Sequence, residues 1–228
     1  SRGLGDVYKR QTKHNEVAPA QHELAPIYTN TNLATEHNQL TMELMKKVAD
    51  RHGLKVIYDA AHAFGVRRGG VSAARFGLAS MFSFHATKVY HTIEGGAVAT
   101  QSAELAQRLA LARNFGITGP DDVVSVGGNA KMNEFQAAMG LCNLRHLEDE
   151  IAARRHVHQR YTDRLDGVRG LRLPPSQPGV DSNFAYFPVV FAGGRAVRDA
   201  VCEALAREGI YARKYFYPLV TDFACYRG

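Results

Sequence analysis

Residues 79–100 read ASMFSFHATKVYHTIEGGAVAT. Two apolar runs, at 79–84 and 96–100, have the length and bounding residues of strands. Between them lies Lys88, followed by the pair Gly95 and Gly96. Upstream, KVIY at 55–58 is a buried-strand pattern ending in Asp59, and DAAHAFG occupies 59–65. An acid where a buried strand ends sits where open α/β sheets place ligand-binding groups. The same acid would also serve as an N-cap for AAHAF. Downstream, Ser102–Asn114 sets Leu105, Leu109 and Ala112 on one helical face, and Asn133–Leu165 is helical with a break near Leu147. Pro174, Pro175 and Pro178, with Ser176 and Gly179, mark a linker. Beyond it, Asn183–Phe191 is strand-like, Arg195–Arg207 helical, and Ile210–Tyr215 a strand again. Alternating strands and helices predict an α/β large domain over 55–173 and a smaller α+β domain over 180–228.

A loop lysine alone is usually a solvated charge, and the interest of Lys88 lies in its company. A pyridoxal phosphate enzyme needs a lysine amine to hold the cofactor's aldehyde. It also needs a carboxylate facing the pyridine nitrogen, because the protonated ring is what accepts electrons. Asp59 supplies the acid, and Ser83, five residues before Lys88, a hydroxyl for the phosphate. His62, one helical turn past Asp59, would reach the ring edge, and Gly95 and Gly96 let the backbone pass a flat cofactor without a Cβ clash.

Composition narrows the field. The 228 residues carry a net charge of +6, with 45% apolar and 22% charged residues, which excludes a disordered polymer. Acidic and basic residues alternate through the second half, as at Glu203, Arg207 and Glu208, where nucleic-acid binding would require a clustered patch. No apolar run approaches the roughly 18 residues of a membrane span, and the basic start lacks the apolar stretch of a secretory signal. Cys142, Cys202 and Cys225 are odd in number, far apart and without CxxC spacing, which suits a reducing, cytoplasmic setting.

The words VIYDAAHAFGV, FSFHATKVYHTIEGGAVAT, RNFGI, GGNAKMNEFQAAMGL and YARKYFYPLV, in this order over 55–228, strongly resemble the DegT/DnrJ/EryC1/StrS sugar aminotransferases. That resemblance implies a fold-type I, aspartate-aminotransferase-like domain that binds pyridoxal phosphate. It makes Lys88 the Schiff-base lysine, Asp59 the partner of the pyridine nitrogen, His62 a neighbour of the ring hydroxyl and Ser83 a phosphate ligand. Asn129 falls on the asparagine that reaches the phosphate in the neighbouring subunit, which implies a homodimer with shared sites. FSFHATKV, EGG and YARKYFYPL look most like enzymes that aminate nucleotide-linked 4-keto-6-deoxy sugars, with a dTDP-sugar as acceptor and glutamate as donor. Arg213, Lys214 and Tyr217 would then help hold the anionic nucleotide sugar, although a solvated strand edge accounts for the same cluster. A non-catalytic binding protein of the same fold would have no need of Lys88 and Asp59 together.

Residues 1–54 read differently. Asp6–Gln11 resembles the in-frame translation of an adapter used in preparing sequencing libraries, so 1–11 is expected to be an assembly scar. In 12–54, Glu16 and Glu23 flank Pro19, and a turn there would bring both carboxylates to a hard cation, with His14 and His22 as further ligands. Leu40, Leu44 and Val48 form a helical face that Gly53 would stop. KHNEVAPAQHELAP followed by HNQLTMELMKKVADRHGL closely resembles the type III glutamine synthetases, metal-dependent ammonia ligases in which the acids matching Glu16 and Glu23 hold divalent metals. The other ligands are absent, which excludes a complete synthetase. The chain is expected to be chimeric, joined within 48–55. Its aminotransferase part is expected to be truncated at both ends, and the chain as it stands inactive.

Overall fold

The computed structural model describes residues 11–14, 23–26, 44–175, 177–215, 217–218 and 222–226. Strands β1 (Gln11–His14) and β2 (Glu23–Pro26) pair antiparallel, with His14 opposite Glu23. Glu16, His22 and Leu40 lie outside the described residues. Helix α1 spans 44–51 and ends at Gly53, whose φ of 64° is the left-handed stop anticipated there. Its Ala49 is buried.

The sheet that organises the site has the order β3–β6–β7, from Ile57–Asp59, Ala79–Ser83 and Gly96–Thr100. β3 runs parallel to β6 with Asp59 opposite Met81, and β7 runs antiparallel to β6 with Ser83 opposite Gly96. Both parallel strands therefore end on the same side. The β3–β6 crossover contains a small hairpin, β4 (Arg67–Arg68) and β5 (Val71–Ser72). Strand β6 buries both Ala79 and Ser80 at its start and alternates from there on. Ser80 and Phe82 are buried, while Met81 is more than a third exposed. The Ser80 hydroxyl is fully enclosed and donates to the Ala73 and Phe76 carbonyls at 2.9 and 3.1 Å. Phe82, Phe84, Tyr90 and Ala60 form the core cluster, and the Phe64 ring stacks on Tyr90 at 4.5 Å.

Helix α2 (Ala103–Ala112) starts where the Ser102 hydroxyl accepts from the Leu105 N–H. The hairpin β8 (Ile117–Gly119) and β9 (Asp122–Val123) follows. Helix α3 (Glu134–Leu144) opens on a capping box of Asn133 and Gln136, and α4 (Leu147–Leu165) begins beside the anticipated break. By its contacts the chain forms two compact units, Ser1–Arg164 with Pro175–Phe187, and Leu165–Pro174 with Pro188–Gly228. In the first, β11 (Val180–Asp181) pairs with β4. The second contains β10 (Leu171–Arg172), β12 (Val190–Phe191) and α5 (Gly194–Arg207).

Three local expectations are corrected. β3 begins at Ile57 rather than Lys55. Of Asn183–Phe191 only Val190–Phe191 is a strand, because Asn183 gives its amide to distant carbonyls and Phe184 turns at φ 51°. Ile210–Tyr215 forms no strand, and a side-chain ion pair from Lys214 anchors it instead.

Candidate active site

Asp59 stands at the carboxyl end of β3, and its Oδ1 accepts from the Ala61 N–H at 3.0 Å. No helix follows, so this carboxylate caps a turn. Within that turn the Ala63 N–H reaches the Ala60 carbonyl, and His62 faces outward. At the end of β6, the loop 84–95 is closed by hydrogen bonds from Phe84 N to Gly95 O and from Thr92 N to Phe84 O. Gly95 is required: a Cβ there would lie 2.3 Å from the Thr92 Oγ1 of a buried side chain, and its φ is 154°. The Lys88 N–H donates to the His85 carbonyl, and His85 Nε2 stands 3.5 Å from a Glu94 carboxylate oxygen.

These two loops bring the Lys88 Nζ within 2.9 Å of the His62 Nε2. A lysine ammonium can only donate, so against that form Nε2 accepts and the imidazole is neutral. Burial, then the neighbouring charge of Lys88, push the His62 pKa below its usual 6.5, with Asp59 opposing them. The edge of the Tyr186 ring meets the imidazole at 5.1 Å between centroids. Ser83 is half-buried, and its Oγ accepts from the His85 N–H at 3.4 Å.

The structure thus gathers Lys88, His62 and Asp59, with Ser83 at the same end of the sheet. Asn129 sits elsewhere, bridged to Asn114 and accepting from Lys131 Nζ at 2.8 Å. In the second unit, Lys214 is paired with Asp199 at 2.8 Å, and the guanidinium carbons of Arg195 and Arg198 lie 4.7 and 4.5 Å from the Tyr217 ring centre. Arg213 is exposed. Lys214 and Arg198 hold the Asp199 pKa at about 2. Sequence reasoning missed Asn183 and Tyr186, which reach the site across more than a hundred residues with no local pattern to announce them.

This placement defines an α/β protein with a lysine-centred site beside a carboxylate. Residues 35–228 match the DegT/DnrJ/EryC1/StrS aminotransferase family, and the chain belongs to it. The family and its solved members use pyridoxal phosphate. The match starts upstream of the junction expected within 48–55, which corrects the reading of 35–54 as foreign to the aminotransferases.

The dTDP-4-amino-4,6-dideoxy-D-glucose transaminase of Shigella dysenteriae is 37% identical over 83% of the chain and 52% of its own length. The enzyme of the same name from Escherichia coli is 38% identical over 82% and 51%. The crystal structure of S. venezuelae DesV in complex with a ketimine intermediate has a TM-score of 0.73 at 31% identity, covering 81% of this chain and 49% of that one. The chain spans about half the length of the curated relatives it matches. Among the described residues, no helix is long and apolar enough to cross a membrane.

Proposed function

We propose that this chain carries the cofactor-binding core of a pyridoxal phosphate transaminase. The enzyme would transfer an amino group from glutamate to a dTDP-linked 4-keto-6-deoxyhexose. The observation that carries the reading is the Lys88 amine, half-buried and 2.9 Å from the His62 imidazole, on the sheet end that also holds Asp59. The names of the Shigella dysenteriae and Escherichia coli relatives support the choice of sugar.

The donor set fits the cofactor. When bound, pyridoxal phosphate supplies the electron sink that lets a proton leave the amino-bearing carbon. Lys88 would bond to the aldehyde carbon at rest and, once displaced by the donor amine, serve as the base that moves that proton. Asp59 would face the pyridine nitrogen and keep it protonated, which an ionised acid does by charge. Ser83 already accepts from His85 N, which leaves its hydroxyl proton to donate to a phosphate oxygen. His62 would accept from Lys88 and lie beside the ring hydroxyl. Asn129 would reach the phosphate of a second copy in a homodimer. Arg213, with Lys214 partly neutralised by Asp199, would offer the nucleotide cationic contacts, and Tyr217 a polar one.

Adduct mapping tests the reading. The chain is incubated with pyridoxal phosphate, reduced with borohydride and digested, and the modified peptides are identified by mass. The expected product is a single adduct on Lys88, lost in Lys88→Ala. Label spread over surface lysines, unchanged by that substitution, would end the proposal. For the substrate, chemical shifts at Arg213 and Tyr217 should respond to a dTDP-sugar and not to free hexose.

A further inference from the structure

Asn183 is almost wholly buried, at 4% exposure. Its Nδ2 donates to the His62 carbonyl at 2.8 Å and to the Phe64 carbonyl at 2.9 Å, across 121 and 119 residues of chain. Its Oδ1 accepts from the Ala185 N–H at 3.2 Å. The amide is therefore nearly saturated, as a buried one must be. Between the two halves of this arrangement, Phe184 turns at φ 51°, and two residues later the Tyr186 ring meets the His62 imidazole.

We propose that Asn183 is a positioning residue: its amide, gripping the main chain on both sides of Ala63, sets the His62 imidazole against the Lys88 amine. One side chain fixes the turn that presents His62 from behind, and through Ala185 it fixes the aromatic edge that covers His62 from the front. Residues 60–66 are turns without helix or strand, held by main-chain bonds such as Ala63 N to Ala60 O and Val66 N to Ala63 O, and the Asn183 amide adds the side-chain anchor. A small error there matters, because a displacement of about 1 Å at a reacting group costs up to about a hundredfold in rate. The charged and titratable groups facing His62 are Lys88 and Asp59, with the Tyr186 ring across from them. The value of this arrangement to catalysis rests on the reading of Lys88 as the cofactor amine. The positioning itself does not.

The test uses Asn183→Asp, which keeps the acceptor and loses both donors, together with Asn183→Ala and Asn183→Thr. The first measurement is the ring titration of His62 by NMR without cofactor, with Lys88→Met to assign the charge effect. In the native chain the midpoint lies below the ordinary imidazole value. In the Ala variant it should rise toward that value and the Thr hydroxyl should recover part of the change, while the Asp variant, whose new carboxylate raises the midpoint by charge, is compared through capture. The second measurement is the rate of pyridoxal phosphate capture by Lys88, expected to fall about tenfold or more in the same variants. Folded variants with an unaltered His62 midpoint and unaltered capture would overturn the proposal, as would unfolding of all three, which would make Asn183 a structural staple. A shifted midpoint with no capture by native Lys88 would support the positioning role and refute the transaminase reading.

Discussion

Lys88 and His62 approach to 2.9 Å because each follows a strand of one parallel pair. Asp59 ends β3 and the His62 turn leaves from it, while Ser83 ends β6 and the Lys88 loop leaves from there. Backbone pairing fixes where the two segments emerge, and side chains fix the final approach. The amine and imidazole are therefore sensitive to two kinds of change, those that disturb the loop from beneath and those that alter charge.

The imidazoles give a pH dependence with a definite sign. His62 and His158 both have pKa values pushed below 6.5, chiefly by burial. The unfolded chain then binds more protons than the folded one, so the stability these groups contribute is present above about 6.5 and is lost as pH falls through their folded values. Urea unfolding at pH 7.5 and 5.5 should show lower stability at the acid end. Replacing both residues by glutamine should flatten that difference. A double variant with an unchanged slope would show that the loss comes from other groups.

Gly140 in α3 tests the support beneath the Lys88 loop. A Cβ there would lie 2.8 Å from the Tyr90 hydroxyl and 2.9 Å from Thr92 Cγ2. Tyr90 is stacked on Phe64 and edge-on to Phe84, so its ring has little room to swing aside. Alanine in place of helical glycine ordinarily gains about 1 kcal/mol. Overpacking costs about 1–3 kcal/mol, so the clash should win. Gly140→Ala is expected to lower the unfolding free energy and slow cofactor capture at Lys88. A stabilised variant would mean that Tyr90 moves freely.

Much of this site was legible in the sequence, and the limits were physical. β7 and the start of α4 followed from apolar periodicity and breaks, which are local properties. Asp59, His62, Ser83 and Lys88 stand out through spacing within 30 residues of chain, and Asp59 and Ser83 end strands of one sheet. The pattern around Asn183 reads as the start of a strand, because its partners are main-chain carbonyls, which carry no sequence signature at either end. The 210–215 strand failed for a related reason: alternating residues promise a pleat, but pairing needs a neighbour, and Lys214 found Asp199 instead.

The aromatic cluster carries the sheet's stability. Phe82 is 4% exposed and meets the Phe64 ring edge-on at 5.9 Å. Phe82→Ala should lose about 3–5 kcal/mol, the usual cost of removing a buried ring. Phe82→Leu should lose much less, because most of the volume remains. Chemical denaturation followed by circular dichroism separates the two. Equal losses would indicate that ring geometry, more than volume, holds β6 against the turn.

In the second unit, Asp199 joins α5 to the segment after it. Its carboxylate takes Lys214 Nζ at 2.8 Å and Arg198 Nη2 at 2.8 Å, and these hydrogen bonds lower its pKa from 3.8 to about 2. A depressed carboxylate contributes stability above its unfolded pKa and loses it as pH falls through the folded one. The tether should therefore persist through pH 4 and fail only toward pH 2. Carbon-detected NMR of the Asp199 carboxyl should give its midpoint near 2. Lys214→Met should raise that midpoint, since the Lys214 hydrogen bond is the largest cause, while Arg213→Met, at a residue outside these contacts, should leave it in place. A midpoint at the ordinary carboxylate value in the native chain would show that Lys214 is solvated, and so available in full to an anionic ligand.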